Sequence, residues 1–206
     1  MINRKEIKKR FVDIMQTSIN GLDVSVIRKK YLDWFWLFKR FYPVTLRLKK
    51  WKCKSGIDFG CGTGGLIVLS SLIGIKMVGV DTSVVKDGYN RYNEITSNLT
   101  RMGFDIRLFD TSKYPWDFGS NSMDVVTAFQ SIKEDYTSNT TRNHLSWNSK
   151  IIRKRIKEIS RIVKPRGVWY VGSNKHYYGL RKSDIWSRLS KKQNIVLWRG
   201  SGEKRK

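Results

Sequence analysis

The chain has 206 residues, 40% of them apolar and 28% charged. That is enough for one domain with a hydrophobic core, and the composition excludes a disordered segment. Its two cysteines, Cys53 and Cys61, have no CxxC partner or His cluster beside them, which excludes a four-ligand metal site or a disulfide-built scaffold and predicts a reducing, cytoplasmic setting with no bound metal.

The net charge is +24 and it is unevenly spread. Residues 1–54 hold 15 Lys/Arg against 4 Asp/Glu, residues 55–146 hold 8 against 10, and residues 147–206 hold 18 against 3. Two basic arms thus flank a near-neutral centre, a pattern that fits a polyanionic partner: nucleic acid or an anionic membrane surface. The most apolar run, Leu66 to Ile75, is too short to cross a bilayer. The basic start, Met1-Ile2-Asn3-Arg4-Lys5, has no apolar stretch behind it and does not read as a signal peptide.

Residues 1–54 read as helical. Asp23 is positioned to cap a helix running to about Phe41 and ended by Pro43. That segment is basic and aromatic, with Trp34, Phe35, Trp36 and Phe38 in close succession. From Lys54 strands and helices alternate. The pattern predicts a strand over Gly56–Phe59, a helix over Gly64–Gly74, a strand over Lys76–Val80 and a helix near 84–102. Strands over Ile106–Phe109 and Met123–Phe129 follow. Ile152, Ile156, Ile159 and Val163 share one face of a predicted helix over Ser149–Lys164. A fifth strand over Val168–Val171, a short helix near 183–191 and a last strand over Asn194–Trp198 complete the order. Such alternation predicts an α/β fold: a doubly wound, mostly parallel Rossmann-like sheet with an N-terminal helical extension. The chain reads as a single domain over 1–206, with 1–54 the extension and 55–206 a cofactor-binding core.

The chemistry centres on Ile57-Asp58-Phe59-Gly60-Cys61-Gly62-Thr63-Gly64-Gly65. Glycines there let the chain turn tightly from strand to helix and leave room for a ligand at the carboxyl edge of the sheet. Gly60, Gly62 and Gly65 also satisfy GxGxxG, so a dinucleotide-binding turn competes with other readings. Asp58 bears on the choice. A carboxylate is poorly placed beside a pyrophosphate, which wants backbone N–H groups. It suits a ligand carrying an ammonium and a sulfonium, as S-adenosylmethionine does.

The pattern acid-x-Gly-x-Gly-x-Gly resembles the first motif of class I S-adenosylmethionine-dependent methyltransferases. Val78-Gly79-Val80-Asp81 resembles the family's second strand, whose closing acid accepts hydrogen bonds from the ribose hydroxyls. Phe109-Asp110-Thr111 resembles its third, whose acid lies by the adenine amino group. Tyr114-Pro115-Trp116 followed by Ser122-Met123-Asp124-Val125-Val126 resembles the turn and fourth strand, and Ile162-Val163-Lys164-Pro165-Arg166-Gly167 the turn before the fifth. The resemblance covers about residues 55–175. It implies S-adenosylmethionine as cofactor, held by Asp58, Gly60, Cys61, Gly62, Gly64, Asp81, Thr82, Asp110, Thr111, Ala128 and Phe129. Two departures stand out: Arg166 replaces the first of two family glycines, and little chain is left for the family's seventh strand.

In the family, acceptor-facing residues follow the fourth strand, here Ala128 to Glu134. Glu134 is the candidate general base, with His144 as a second candidate. Ala128-Phe129-Gln130-Ser131 is not the Asn/Asp-Pro-Pro-aromatic motif of base-amino methylation. Neither cysteine is placed for attack on a pyrimidine carbon. Methylation at oxygen or a ring nitrogen remains, of RNA or of a small molecule or lipid. A nucleic-acid-binding relative without catalysis is the third reading, and the intact Asp58, Asp81 and Asp110 argue against it.

Overall fold

The computed structural model describes residues 3–25, 27, 29–82, 90–109, 113–128, 134–135, 143–144, 149–173 and 190–199. Three N-terminal helices come first: α1 (Arg4–Thr17), α2 (Lys29–Leu32) and α3 (Trp34–Lys50). Then come β1 (Ser55–Phe59), α4 (Gly65–Leu72), β2 (Lys76–Thr82), α5 (Asn90–Arg101), β3 (Ile106–Phe109) and β4 (Met123–Ala128). A two-stranded ribbon of β5 (Glu134–Asp135) and β6 (Asn143–His144) precedes α6 (Lys150–Ile162), β7 (Val163–Ser173) and β8 (Asn194–Arg199).

The main sheet has six strands in the order β3-β2-β1-β4-β7-β8, every pair parallel. This is the expected doubly wound α/β architecture. The chain winds outward from β1 to β3, then returns to the other side of β1 with β4. Order therefore reverses between β1 and β4, and in open sheets the crevice outside the strand carboxyl ends at such a point is where ligands bind. Among the described residues no seventh strand enters the sheet, and β8 pairs directly with β7.

Each face of the sheet carries its own core. On one, α1 contributes Ile7, Phe11 and Met15, and α3 contributes Trp34, Leu37, Phe38, Val44 and Leu48, all buried with α4 and α5 residues. This explains the composition of α4, Gly-Leu-Ile-Val-Leu-Ser-Ser-Leu, whose first six residues are all buried. A helix apolar on every side needs cover on every side. The sheet covers one side of α4 and the α1–α3 pair the other. On the opposite face, α6 lays Ile152, Ile156, Ile159 and Ile162 against Trp116, Phe118 and Trp169. The isoleucine stripe read from the sequence is this buried face.

Three boundaries differ from the sequence reading. Asp33, not Asp23, caps the long N-terminal helix, its Oδ1 accepting the Trp36 N–H at 2.9 Å. Asp23 instead closes a short turn onto the Ser25 N–H. Pro43 lies inside α3; it removes one N–H donor, and its exposed position leaves the orphaned carbonyl within reach of water. The C-terminal helix stops at Ile162, because Val163 already pairs with Met123 in the sheet. Within β7, Arg166 takes a left-handed φ of 63°, which costs an L-residue about 1–2 kcal/mol. This is the position where the family has glycine, and the Arg166 backbone is held by Lys192 and the Asn194 side-chain amide. The expected helix near 183–191 falls almost wholly outside the described residues.

Candidate active site

The glycine loop is anchored to the end of β2. Val80 O accepts from both the Gly60 and Cys61 N–H groups, at 2.7 and 3.2 Å. The Gly62 N–H donates to Asp81 Oδ2 at 2.8 Å. Gly62 has φ 55°, and a Cβ built on it would meet no atom within 4 Å. Its open side faces free volume at the mouth of the loop, in a conformation a larger residue adopts only under strain. Gly64 is crowded: a Cβ there would lie 2.7 Å from Leu99 Cδ1.

Asp58 is nearly fully buried, and Thr127 Oγ1 donates to its Oδ1 at 2.6 Å. Paired in register, Asp58 and Thr127 bridge β1 and β4 at the switch point. Burial pushes the Asp58 carboxyl up to about 7; the Asp81 carboxylate adds to that, while the Thr127 hydrogen bond and the Arg40 guanidinium on α3 act against it. Such a group gains from a cation beside it, because ionisation in a dry site is expensive unless paired. The donor set at the loop is thus two carboxylates around an open glycine cradle. It fits a ligand with a cationic end and a diol, and two carboxylates beside the loop disfavour a pyrophosphate.

Most of the sequence-predicted cofactor residues converge here. Asp58, Gly60, Cys61, Gly62, Gly64 and Asp81 form the loop and its anchor, and Thr82 closes β2. Ala128 ends β4, buried, one residue beyond Thr127. Asp110, Thr111 and Phe129 lie outside the described residues. The ribbon that follows β4 pairs Glu134 directly opposite His144, so the two candidate bases sit at matched backbone positions. Cys61 is buried, and desolvation with Asp81 and Asp58 nearby drives its thiol well above the ordinary range. Cys53 is pushed up to about 11, mainly by burial. Neither is a ready thiolate.

Two contributors escaped the sequence reading. Thr127 is 69 residues from Asp58, and its role follows only from the adjacency of β1 and β4. Arg40 reaches the site because α3 docks over α4. Asp124 and Glu158 prove structural. Asp124 accepts from the Lys54 and Ser55 N–H groups and pairs with Lys164 at 2.7 Å; burial raises its carboxyl, but these partners outweigh that and hold it below the usual range. Glu158 accepts the Trp116 N–H and pairs with Arg161, which also donates to the Trp116 and Phe118 carbonyls. Arg161 is therefore committed to the 116–120 loop, while Arg153, Lys154 and Lys157 remain exposed.

The chain belongs to the family described as a methyltransferase domain, which matches residues 57–171, more than half of its length. The matched span contains the glycine loop, Asp58, Asp81 and Thr127. S-adenosylmethionine is the methyl donor of this class I family, in accord with the donor set above. No curated protein matches the chain. Similar solved structures include the amino pentose methyltransferase CalS10 of Micromonospora echinaspora with S-adenosylmethionine bound, at 16% identity and a TM-score of 0.41. The alignment covers 62% of this chain and 47% of that one. The PH0226 protein of Pyrococcus horikoshii is 20% identical with a TM-score of 0.45, covering 72% and 61%. A methyltransferase of Archaeoglobus fulgidus dependent on S-adenosylmethionine is 16% identical with a TM-score of 0.40, covering 66% and 56%. The chain thus spans about half to three fifths of the length of these structures. Among the described residues, no helix is long and apolar enough to cross a membrane.

Proposed function

We propose that this chain transfers a methyl group from S-adenosylmethionine to an oxygen or ring-nitrogen acceptor in RNA. When bound, the cofactor supplies a methyl carbon made electrophilic by its sulfonium. The protein's part is to hold and orient. Asp81, at the end of β2, is placed to accept from a ribose diol while fixing the loop through Gly62. Asp58 supplies a carboxylate for the cationic end, stabilised against its own burial by Thr127. Asp110 and Thr111 are assigned to the adenine side, and Ala128 and Phe129 to the cofactor as well. Glu134 is the proposed base for an acceptor that must lose a proton, and His144, opposite it in the ribbon, is the second candidate.

The observation that carries the RNA reading is charge. Exposed Arg4, Lys5, Lys9 and Arg10 on α1, Lys39, Lys49 and Lys50 on α3, and Arg153, Lys154 and Lys157 on α6 flank a near-neutral core. Contacts of that kind with phosphates give affinity that falls steeply with salt. The test is transfer of radiolabelled methyl from S-adenosylmethionine into total RNA, lipid and small-molecule fractions. Label in RNA that is lost with Glu134→Gln supports the full assignment. Label only in small molecules or lipid overturns the RNA reading and leaves the family membership intact.

A further inference from the structure

Within the aromatic segment of α3 the structure separates two kinds of ring. Trp34 and Phe38 are core residues, with the Trp34 indole N–H donating to Gln16 Oε1 and Phe38 stacked on Tyr42. Phe35 and Trp36 face outward, 54% and 36% exposed. Each carries a cation: Lys8 Nζ lies 4.4 Å from the Phe35 ring centre, and the Arg40 guanidinium 5.0 Å from that of Trp36.

Their place in the fold follows from chain direction. After α3 ends at Lys50, β1 starts at Ser55 on the amino edge of the sheet, so α3 runs antiparallel to β1. Its first turns therefore reach the carboxyl edge. Leu37 and Phe41 confirm this, each 3.7 Å from where a Cβ on Gly65 would stand, directly after the glycine loop. Trp36 is linked to the site through Arg40, whose guanidinium lies 5.0 Å from its ring centre and acts on the Asp58 carboxyl, and Phe35 precedes it in the same exposed turn.

We propose that Phe35 and Trp36, with Lys8 beside one ring and Arg40 beside the other and with the exposed Lys5, Lys9 and Lys39 on the same two helices, are a stacking platform for single-stranded RNA that delivers the acceptor nucleotide to the methyl donor. The inference rests on the RNA reading above. Exposed rings and neighbouring cations are the two elements such binding needs: rings for bases and cations for the backbone. The arrangement fits a membrane poorly. Ile7, Phe11 and Met15 of α1 and Leu37, Phe38, Val44 and Leu48 of α3, the apolar faces that would enter lipid, are buried over α4.

The test is fluorescence anisotropy of a labelled single-stranded RNA of about 12 nucleotides, a length spanning a typical single-strand site, at two salt concentrations. Wild type is compared with Phe35→Leu/Trp36→Leu, which keeps apolar bulk and removes the rings, and with Lys8→Gln/Lys39→Gln. The leucine pair should bind about tenfold or more weakly, as loss of base stacking predicts, with an unchanged salt slope, melting temperature and S-adenosylmethionine affinity. The lysine pair should lower the salt slope. The single Phe35→Leu variant gives the same comparison if the double variant does not fold. RNA binding that is equal in wild type and the leucine pair overturns the platform and leaves the RNA reading standing. Folded wild type that binds S-adenosylmethionine but no RNA overturns both. Binding of phosphatidylserine vesicles through the two rings, without RNA binding, overturns the platform in favour of a membrane.

Discussion

Asp58 holds a carboxyl group in a site with almost no water, satisfied on one oxygen by Thr127 and facing Asp81. With its acidity shifted to about 7 in the folded chain and near 3.8 when unfolded, the native state binds this proton more tightly. Stability from this group is therefore full below about pH 4, falls as pH rises through about 7, and levels off above, losing up to about 1.4 kcal/mol per unit in that window. Urea unfolding of wild type and Asp58→Asn between pH 5 and 8 should show that decline in wild type and its loss in the variant. Parallel profiles would mean that Asp58 stays ionised at neutral pH. At this scale the sequence was most legible where the chemistry is local. The glycines, Asp58 and Asp81 announce themselves through spacing, since a loop and the strand beside it are short-range objects. Thr127 carried no such mark: one threonine in an apolar strand becomes a partner for Asp58 only when β4 is set against β1.

Among the elements, α6 was the most readable, because its isoleucines repeat at helical spacing over three turns and face an intact core. Its end was misjudged because the periodic pattern runs on into Val163, while sheet pairing with Met123 wins that residue for β7. The N-terminal helices were harder. Both Asp23 and Asp33 have the chemistry of a cap, and what selects Asp33 is the docking of Trp34, Leu37 and Phe38 into the core beside α4. Replacing Asp33 with alanine should destabilise the chain by about 1 kcal/mol through the lost Trp36 N–H contact, and Asp23→Ala should do much less. Urea midpoints of the two variants read this directly; equal losses would contradict the cap assignment. Asp33 also opens the helix that presents Phe35 and Trp36, so the cap steadies the proposed platform.

Across the whole molecule, topology and charge divide the work. Reversal of strand order between β1 and β4 opens the crevice where such sheets bind ligands, and the loop between Phe59 and Gly65 lies at that point. The α1–α3 pair closes the outer side of α4 and gives the all-apolar run Leu66–Leu69 a core on both flanks. What the alternating pattern did not reveal is that α1 and α3 form the outer wall of α4, since burial over α4 is a property of the assembled fold. Most of the positive charge of α1, α3 and α6 lies on their exposed faces, while Arg40 of α3 acts on the Asp58 carboxyl. The most direct measurement is calorimetric titration of S-adenosylmethionine into wild type and Asp81→Ala, with NAD as control ligand and melting temperature as the check on folding. Saturable binding of S-adenosylmethionine by wild type, weakened at least about tenfold in a folded Asp81→Ala variant and absent for NAD, is the predicted result. Binding of NAD instead, or S-adenosylmethionine affinity untouched by Asp81→Ala, would contradict it.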